Sequence, residues 1–271
     1  MKRLNFVPGK TLICGVLNVT PDSFSDGGKW ADPAAALDHA LRLEAEGADL
    51  IDIGGESSRP GSAPVPLEEE RLRVIPLLEA LAGRLKVPVS VDTRKPELAV
   101  LAVKAGADIV NDITGFVSPD MVKVAADSGV GAIVMHMLGE PGTMQANPVY
   151  KDVVAEVRDF LAGRAAELAA AGVKDIILDP GIGFGKTLEH NLALIAGLGK
   201  IRALGYPVML GVSRKKFIGV LAGGEPAERL SGTIAACVAG AERGADIVRV
   251  HDVAECRKAM LVADAIRGAG K

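Results

Sequence analysis

The sequence predicts an α/β protein of the (β/α)8 (TIM) barrel class, a single domain over residues 1–271 with a short N-terminal cap. Three observations carry that expectation. Eight short β-branched apolar runs recur along the chain, stretches with helical spacing separate them, and three of the junctions are near-copies of one another. Strands alternating with helices imply βα units and a parallel sheet. No break in composition marks a second domain, and 271 residues is an ordinary length for a barrel of eight units.

Taken in order, "MKRLNFVPGK" (1–10) is expected to form a small cap under the barrel. The strand runs are "TLICGVLN" (11–18), "LIDIGG" (50–55), "VPVSVDT" (87–93), "IVNDIT" (109–114), "GAIVMH" (131–136), "DIILDPG" (175–181), "PVMLGVS" (207–213) and "IVRVHDV" (247–253). Between them, "AAALDHALRLEAEGA" and "DVVAEVRDFLAGRAAELAAAG" space their apolar residues as amphipathic helices do. The junctions "EGADLIDIGG", "AGADIVNDIT" and "RGADIVRVHDV" each place a glycine where a helix should stop. Only glycine enters the left-handed region cheaply. "AGVKDIILDP" and "SGVGAIVMH" are looser copies.

Composition narrows the function classes. The chain is 49% hydrophobic but only 3% aromatic, so Val, Ile, Leu and Ala must fill the core. A net charge of −3 argues against a general nucleic-acid surface. Cys14, Cys237 and Cys256 are far apart in sequence and read as buried free thiols of a reducing cytoplasm. Lys2 and Arg3 before an apolar run briefly suggest an export signal, but Asn18 breaks the run and no small-residue cleavage site follows. No apolar stretch reaches the roughly 18 residues of a membrane span. A cytoplasmic location without membrane partner is expected.

In such a barrel the site lies at the C-terminal ends of the strands. Here those ends carry Asn18, then Glu56, Ser57, Ser58 and Arg59, Asp92, Asn111 and Asp112, His136, Asp179, Ser213, Arg214 and Lys215, and Arg249 with His251. Polar groups at all eight ends imply one shared pocket. Asp92, Asn111 and Asp179 suit a flat heterocycle with adjacent N–H donors, since a carboxylate accepts two parallel N–H bonds. Arg59, Lys215, Arg249 and His251 suit a phosphorylated group. A nitrogen heterocycle at one end and phosphate at the other follows from the site chemistry alone.

Structural roles compete with these. Asp92 and Asp179 would also serve as helix N-caps, and Asn111 as a turn residue. Asp112 reads as structural, and His136, between Met135 and Met137, as a packed wall. His39 and His190 fall on predicted helices and read as solvated, and "LEEERLR" (67–73) reads as a solvated helix start. "LDPGIGFGKT" (178–187) looks like a phosphate-binding loop, but Pro180 stands where a P-loop needs its first glycine. Lys186 likewise occupies the last glycine of a dinucleotide fingerprint.

In order and at family spacing, "LNVTPDSFSDGG" (17–28), "DIGGESSRPGS" (52–62), "SVDTRKPE" (90–97), "NDITG" (111–115), "MHMLGEPGTMQANPVY" (135–150), "DPGIGFGKT" (179–187), "GVSRKKFIG" (211–219) and "RVHDV" (249–253) resemble the dihydropteroate synthase family over nearly the whole chain. The resemblance implies joining of 6-hydroxymethyl-7,8-dihydropterin diphosphate to 4-aminobenzoate, with Mg2+, in a homodimer open to sulfonamides. It places Asp92, Asn111, Asp179 and Lys215 on the pterin ring with Met135 on its face. Asn18 would ligate Mg2+, and Arg59, Arg249 and His251 would hold the diphosphate. Phe24 and Asp26, with Ser58, Arg59 and Pro60, would close over the site, while Phe184 and Lys215 border the 4-aminobenzoate pocket. Asp26, Arg59, Lys215, Arg249 and His251 are the expected catalytic set.

Two departures stand out: Ser58 where the family commonly has Thr, and Lys216 where many members carry Ser. The competing readings are a methyltetrahydrofolate-dependent methyltransferase of the same superfamily, a non-catalytic pterin-binding paralogue and a phosphosugar barrel. The first lacks a diphosphate to expel, which the retained Asn18, Arg59, Arg249 and His251 count against. The second should have lost loop residues or Lys215, and the third leaves Asp92, Asn111 and Asp179 unexplained.

Overall fold

Each of the eight apolar runs forms a strand in the computed structural model, which describes residues 1–20, 33–57 and 61–270. The strands are β1 (Leu12–Asn18), β2 (Leu50–Gly54), β3 (Val89–Asp92), β4 (Ile109–Asp112), β5 (Gly131–Met135), β6 (Ile176–Asp179), β7 (Met209–Leu210) and β8 (Ile247–Val250). Helices follow them: α1 (Pro33–Ala45), α2 (Leu67–Leu81), α3 (Pro96–Lys104), α4 (Pro119–Ser128), α5 (Val153–Ala170), α6 (Leu188–Ala196), α7 (Leu198–Arg202), α8 (Lys216–Ala222), α9 (Leu230–Glu242) and α10 (Val253–Ala269). All pairings are parallel, in the order β6-β5-β4-β3-β2-β1-β8-β7. The two ends meet where Leu178 bridges Val208 and its N–H donates to the Pro207 carbonyl at 2.9 Å, closing the barrel.

The three near-repeats have a common construction. Gly47, Gly106 and Gly244 take φ values of +101°, +109° and +104°, as the helix-stop reading requires. The acid two residues later then anchors a neighbouring strand. Asp49 accepts from Ile13 N–H at 2.9 Å, Asp108 from Val89 N–H at 3.1 Å and Asp246 from Val208 N–H at 2.8 Å. Each motif ends a helix and satisfies a strand-start donor that the ladder leaves open.

Alternation along the strands splits the core in two. Leu12, Cys14, Leu50, Ile109, Ile133, Ile177, Met209 and Ile247 fill the lower barrel interior, with Leu4 of the N-terminal segment packed against them. That contact, with Lys2 Nζ donating to the Leu85 carbonyl at 2.7 Å, makes residues 1–10 the expected cap. A larger cluster lies between barrel and helices; α5 contributes Val157, Leu161, Ala165 and Leu168 to it from one face. Among the described residues, no helix is long and apolar enough to cross a membrane.

Two expectations need correction. Glu70, within the acidic start of α2, is fully buried and ion-paired to Lys95, because α2 turns that residue toward the barrel. His190 caps α6 rather than facing solvent: Thr187 Oγ1 accepts its N–H at 3.2 Å, and its Nδ1 accepts from Thr187 N–H at 3.2 Å.

Candidate functional site

Above the apolar layer the inward positions become polar. Asp52, one turn of the pleat beyond Leu50, is fully buried and pairs in register with Ser90 on β3. Its Oδ1 accepts from Ser90 Oγ at 2.5 Å, while its Oδ2 accepts from Asn111 Nδ2 at 2.9 Å and Arg249 Nε at 2.7 Å. The Arg249 guanidinium reaches on to Asp92 Oδ2 at 3.2 Å. Four strands thus contribute to one polar cluster at the C-terminal end of the barrel.

The cluster extends round the barrel. Lys215 Nζ, Arg249 Cβ and Asp179 Oδ2 all come within 3.8–3.9 Å of where a side chain at Gly211 would begin. Asn18 Oδ1 and Asp92 Oδ2 lie 3.7 Å from the corresponding point at Gly54. Both glycines lie directly among these polar side chains. Lys215 donates to the Ile182 carbonyl and sits 4.7 Å above the Phe184 ring, a cation–π contact. Met135, buried at the end of β5, lies against the Gly181 turn. His251 receives Ser213 Oγ against Nδ1 at 3.0 Å, and its N–H donates to the same oxygen at 3.2 Å.

Burial and charge set the protonation states. Burial pushes the carboxyl of Asp92 up, and the neighbouring Asp52 charge adds to that, with Arg249 opposing. Burial also raises Asp179, which Lys215 partly offsets. Lys215 is drawn down to about 8 by burial, against the pull of Asp179. Burial works against a charged Arg249, but Asp52 and Asp92 outweigh it and hold the guanidinium cationic. Asn111 Oδ1 is buried with no hydrogen-bond partner among the described residues. A buried acceptor in that state calls for an N–H donor.

The predicted residues Asn18, Asp92, Asn111, Met135, Asp179, Phe184, Lys215, Arg249 and His251 therefore share the C-terminal end of the barrel. Phe24, Asp26, Ser58, Arg59 and Pro60 lie outside the described residues. Arg214, from the same strand end as Lys215, turns away to pair with Asp252. Asp112 is structural, as its turn chemistry suggests: it accepts from Thr114 N–H at 2.8 Å and Phe116 N–H at 2.9 Å. His136 is the packed wall expected, edge-on to Phe160 at 5.0 Å and beside Lys186 Nζ at 3.0 Å.

Sequence reasoning missed Asp52, although an acid in phase with Leu50 and Gly54 on a buried strand was a legible signal. It also missed an ion-pair network in which Glu56 joins Arg94 and Lys95, and Lys95 joins Glu70. The glycine-rich loop is no phosphate cradle. A Cβ at Gly181 would lie 1.9 Å from the His136 carbonyl oxygen, and one at Gly185 would lie 2.4 Å from that of Leu138. These glycines allow the loop to press against the segment that follows β5. Lys186, buried beneath it, donates to the Phe184 carbonyl at 2.9 Å.

Comparison with known proteins agrees with this geometry. Residues 14–251 match the family model described as pterin binding enzyme. The chain is 48% identical to the dihydropteroate synthase of Escherichia coli K12 over 255 residues, covering 93% of this chain and 90% of that protein. It superimposes on the Burkholderia cenocepacia dihydropteroate synthase complexed with 7,8-dihydropteroate at a TM-score of 0.87, with 49% identity over 96% of this chain and 93% of that one. The Yersinia pestis synthase in a sulfonamide drug complex gives a TM-score of 0.91 at 42% identity, covering 98% of this chain and 96% of that one.

Proposed function

The chain belongs to the pterin-binding enzymes and, among them, to the dihydropteroate synthase family, and from that premise we propose how its residues divide the work. The reaction joins (7,8-dihydropterin-6-yl)methyl diphosphate to 4-aminobenzoate, making 7,8-dihydropteroate and releasing diphosphate. The observation that carries the division is the cluster at the C-terminal end of the barrel in which Asp52 joins Asn111 to Arg249, Arg249 reaches Asp92, and Asp179 and Lys215 lie beside Arg249.

Asp179, Asp92 and the buried Oδ1 of Asn111 present acceptors to the donor edge of the pterin, and Met135 lies against its face. Lys215, held near Phe184, borders both the pterin and the 4-aminobenzoate. The C–O bond to diphosphate breaks first, the electron pair leaving with the diphosphate. Arg249 and His251, with Arg59 by motif alone, neutralise that charge as it grows. The methylene left behind is a cation conjugated to the pterin, which Asp26 would stabilise. The aniline nitrogen then donates its lone pair to form the C–N bond and releases a proton. No strong base is needed, because an aniline is already nucleophilic when unprotonated. Phe24, Ser58 and Pro60 would close the site against water, which otherwise captures the cation.

Asn18 offers one neutral amide oxygen at the end of β1, and no cluster of three His, Cys, Asp or Glu gathers a metal among the described residues. That donor set fits Mg2+ carried largely by diphosphate and water, with one or two protein oxygens completing it. When bound, the ion would neutralise diphosphate charge. Exposed Val220 and Leu221 on α8 and Leu261, Val262 and Ile266 on α10 support a homodimer built on these helices. Three free, buried thiols support a reducing, cytoplasmic setting.

The test is direct. Incubation with the pterin diphosphate, 4-aminobenzoate and Mg2+ should yield equal amounts of dihydropteroate and diphosphate, and chelation of the metal should suppress both. Absence of product with both substrates present and the metal saturating would overturn the reading.

A further inference from the structure

Asp52 touches neither end of the substrate in the division of labour above, yet it is bonded to two residues that do. Its Oδ2 accepts from Asn111 Nδ2 at 2.9 Å and from Arg249 Nε at 2.7 Å, while its Oδ1 is held by Ser90 Oγ at 2.5 Å. An amide side chain can present either its oxygen or its nitrogen to a pocket, and the two faces recognise opposite ligand edges. A carboxylate can only accept, so Asn111 must turn its nitrogen down to Asp52. Its oxygen is thereby left buried and without a partner among the described residues.

We propose that Asp52 is a positioning residue that selects the pterin edge: it fixes the Asn111 amide with Oδ1 toward the pocket and holds the Arg249 guanidinium through the same Oδ2. The site therefore accepts a heterocycle with an N–H donor opposite Asn111, and rejects one with a lone pair there. One atom, Oδ2, links recognition of the ring to placement of the cation that faces the diphosphate. This inference rests on the pterin reading of Asn111 and Arg249 given above.

Geometry rather than charge is the operative property, and two substitutions separate them. Asp52→Ala removes the acceptor. Asp52→Asn keeps an oxygen at the Oδ2 position, because its amide nitrogen can face Ser90 Oγ, which also accepts. Calorimetric titration would use 6-hydroxymethyl-7,8-dihydropterin as the bare ring and inorganic diphosphate as the other end. Asp52→Ala should weaken the bare ring by about tenfold or more, the effect expected on losing a charged hydrogen bond, and weaken diphosphate as well. Asp52→Asn should stay within about threefold of the parent for the bare ring. At saturating pterin diphosphate the KM for 4-aminobenzoate should not move in either variant.

Equal losses in the two variants, or none in Asp52→Ala, overturn the inference. Asn111→Ala serves as the control: if it binds the bare ring like the parent, the site reading falls and this inference with it. If Asn111→Ala loses the ring while Asp52→Ala does not, only the inference falls. Should Asp52→Ala not fold, the parent protein suffices. The Asn111 side-chain amide should show a slowly exchanging proton by NMR in the ligand-free protein, and rapid exchange of both protons overturns the proposal.

Discussion

The guanidinium of Arg249 and the carboxylate of Asp92 form an ion pair of 3.2 Å at the mouth of the barrel, so the cation assigned to the diphosphate and an acceptor assigned to the pterin are electrostatically one unit. Arg249 also balances the fully buried Asp52, leaving two carboxylates against one cation. Arg249→Ala should therefore do two things at once. Catalytic efficiency should fall by about 10²–10³, as for loss of a preorganised charge stabiliser. Stability should fall by about 3–5 kcal/mol, because breaking a buried pair strands the partner's charge. Steady-state kinetics and urea unfolding measure the two, and a variant of parental stability would show that Asp52 does not depend on it.

Lys215 predicts a pH limit. Burial draws its ammonium down to about 8 from an ordinary 10.5. Below that value it is a cation, and above it a neutral amine with a weaker hold on the pterin. The kcat/KM for the pterin diphosphate should decline on the alkaline side with an inflection near pH 8. Lys215→Met should be weaker throughout and lack that inflection. A parental profile flat from pH 7 to 9 would remove Lys215 from this role.

Lys95 is the cation that accompanies Glu70, which is fully buried in the first turn of α2. Burial raises Glu70, and its hydrogen bond with Lys95 is the leading opposing influence. Lys95→Met should cost about 3–5 kcal/mol, and the paired change Lys95→Met with Glu70→Leu should recover most of it. Chemical denaturation of the three proteins checks this, and additive losses would mean that the two residues do not act as a pair.

Two glycines with positive φ should respond differently to alanine. Gly181 (φ +66°) has the His136 carbonyl oxygen 1.9 Å from its missing Cβ, whereas Gly172 (φ +94°) has nothing within 4 Å. Gly172→Ala should cost about 1 kcal/mol, from backbone strain alone. Gly181→Ala should cost more than about 3 kcal/mol and displace Asp179, whose Oδ1 accepts the Gly181 N–H at 2.7 Å. Thermal unfolding and pterin affinity together would separate the two cases.

His136 predicts acid sensitivity. Burial, with the charge of Lys186, holds its pKa down to about 3, against 6.5 in an open chain. Between those values the unfolded chain binds a proton that the folded one does not. Stability from this group is full above pH 6.5 and falls on acidification, by up to about 1.4 kcal/mol per pH unit. His136→Gln should flatten that slope between pH 6 and 4, as read by urea midpoints.

The barrel is legible in the chain, because strand runs, helical spacing and the repeated Gly-Ala-Asp junctions are local patterns with local causes. So are the polar strand ends, and the family motifs mark Asp92, Asn111, Asp179, Lys215 and Arg249 as candidates. Which of these groups act on one another emerges when the strands close into a ring. Asp52 comes from β2, Asn111 from β4 and Arg249 from β8, and nothing in their spacing along the chain reports a separation of 2.9 Å or 2.7 Å. The same holds for Glu70, whose acidic surroundings in sequence suggested solvent until the turn of α2 brought it to Lys95. Barrel closure is the physical reason: it converts positions remote along the chain into neighbours inside a low-dielectric ring. There a single buried oxygen can decide how a distant amide faces its ligand.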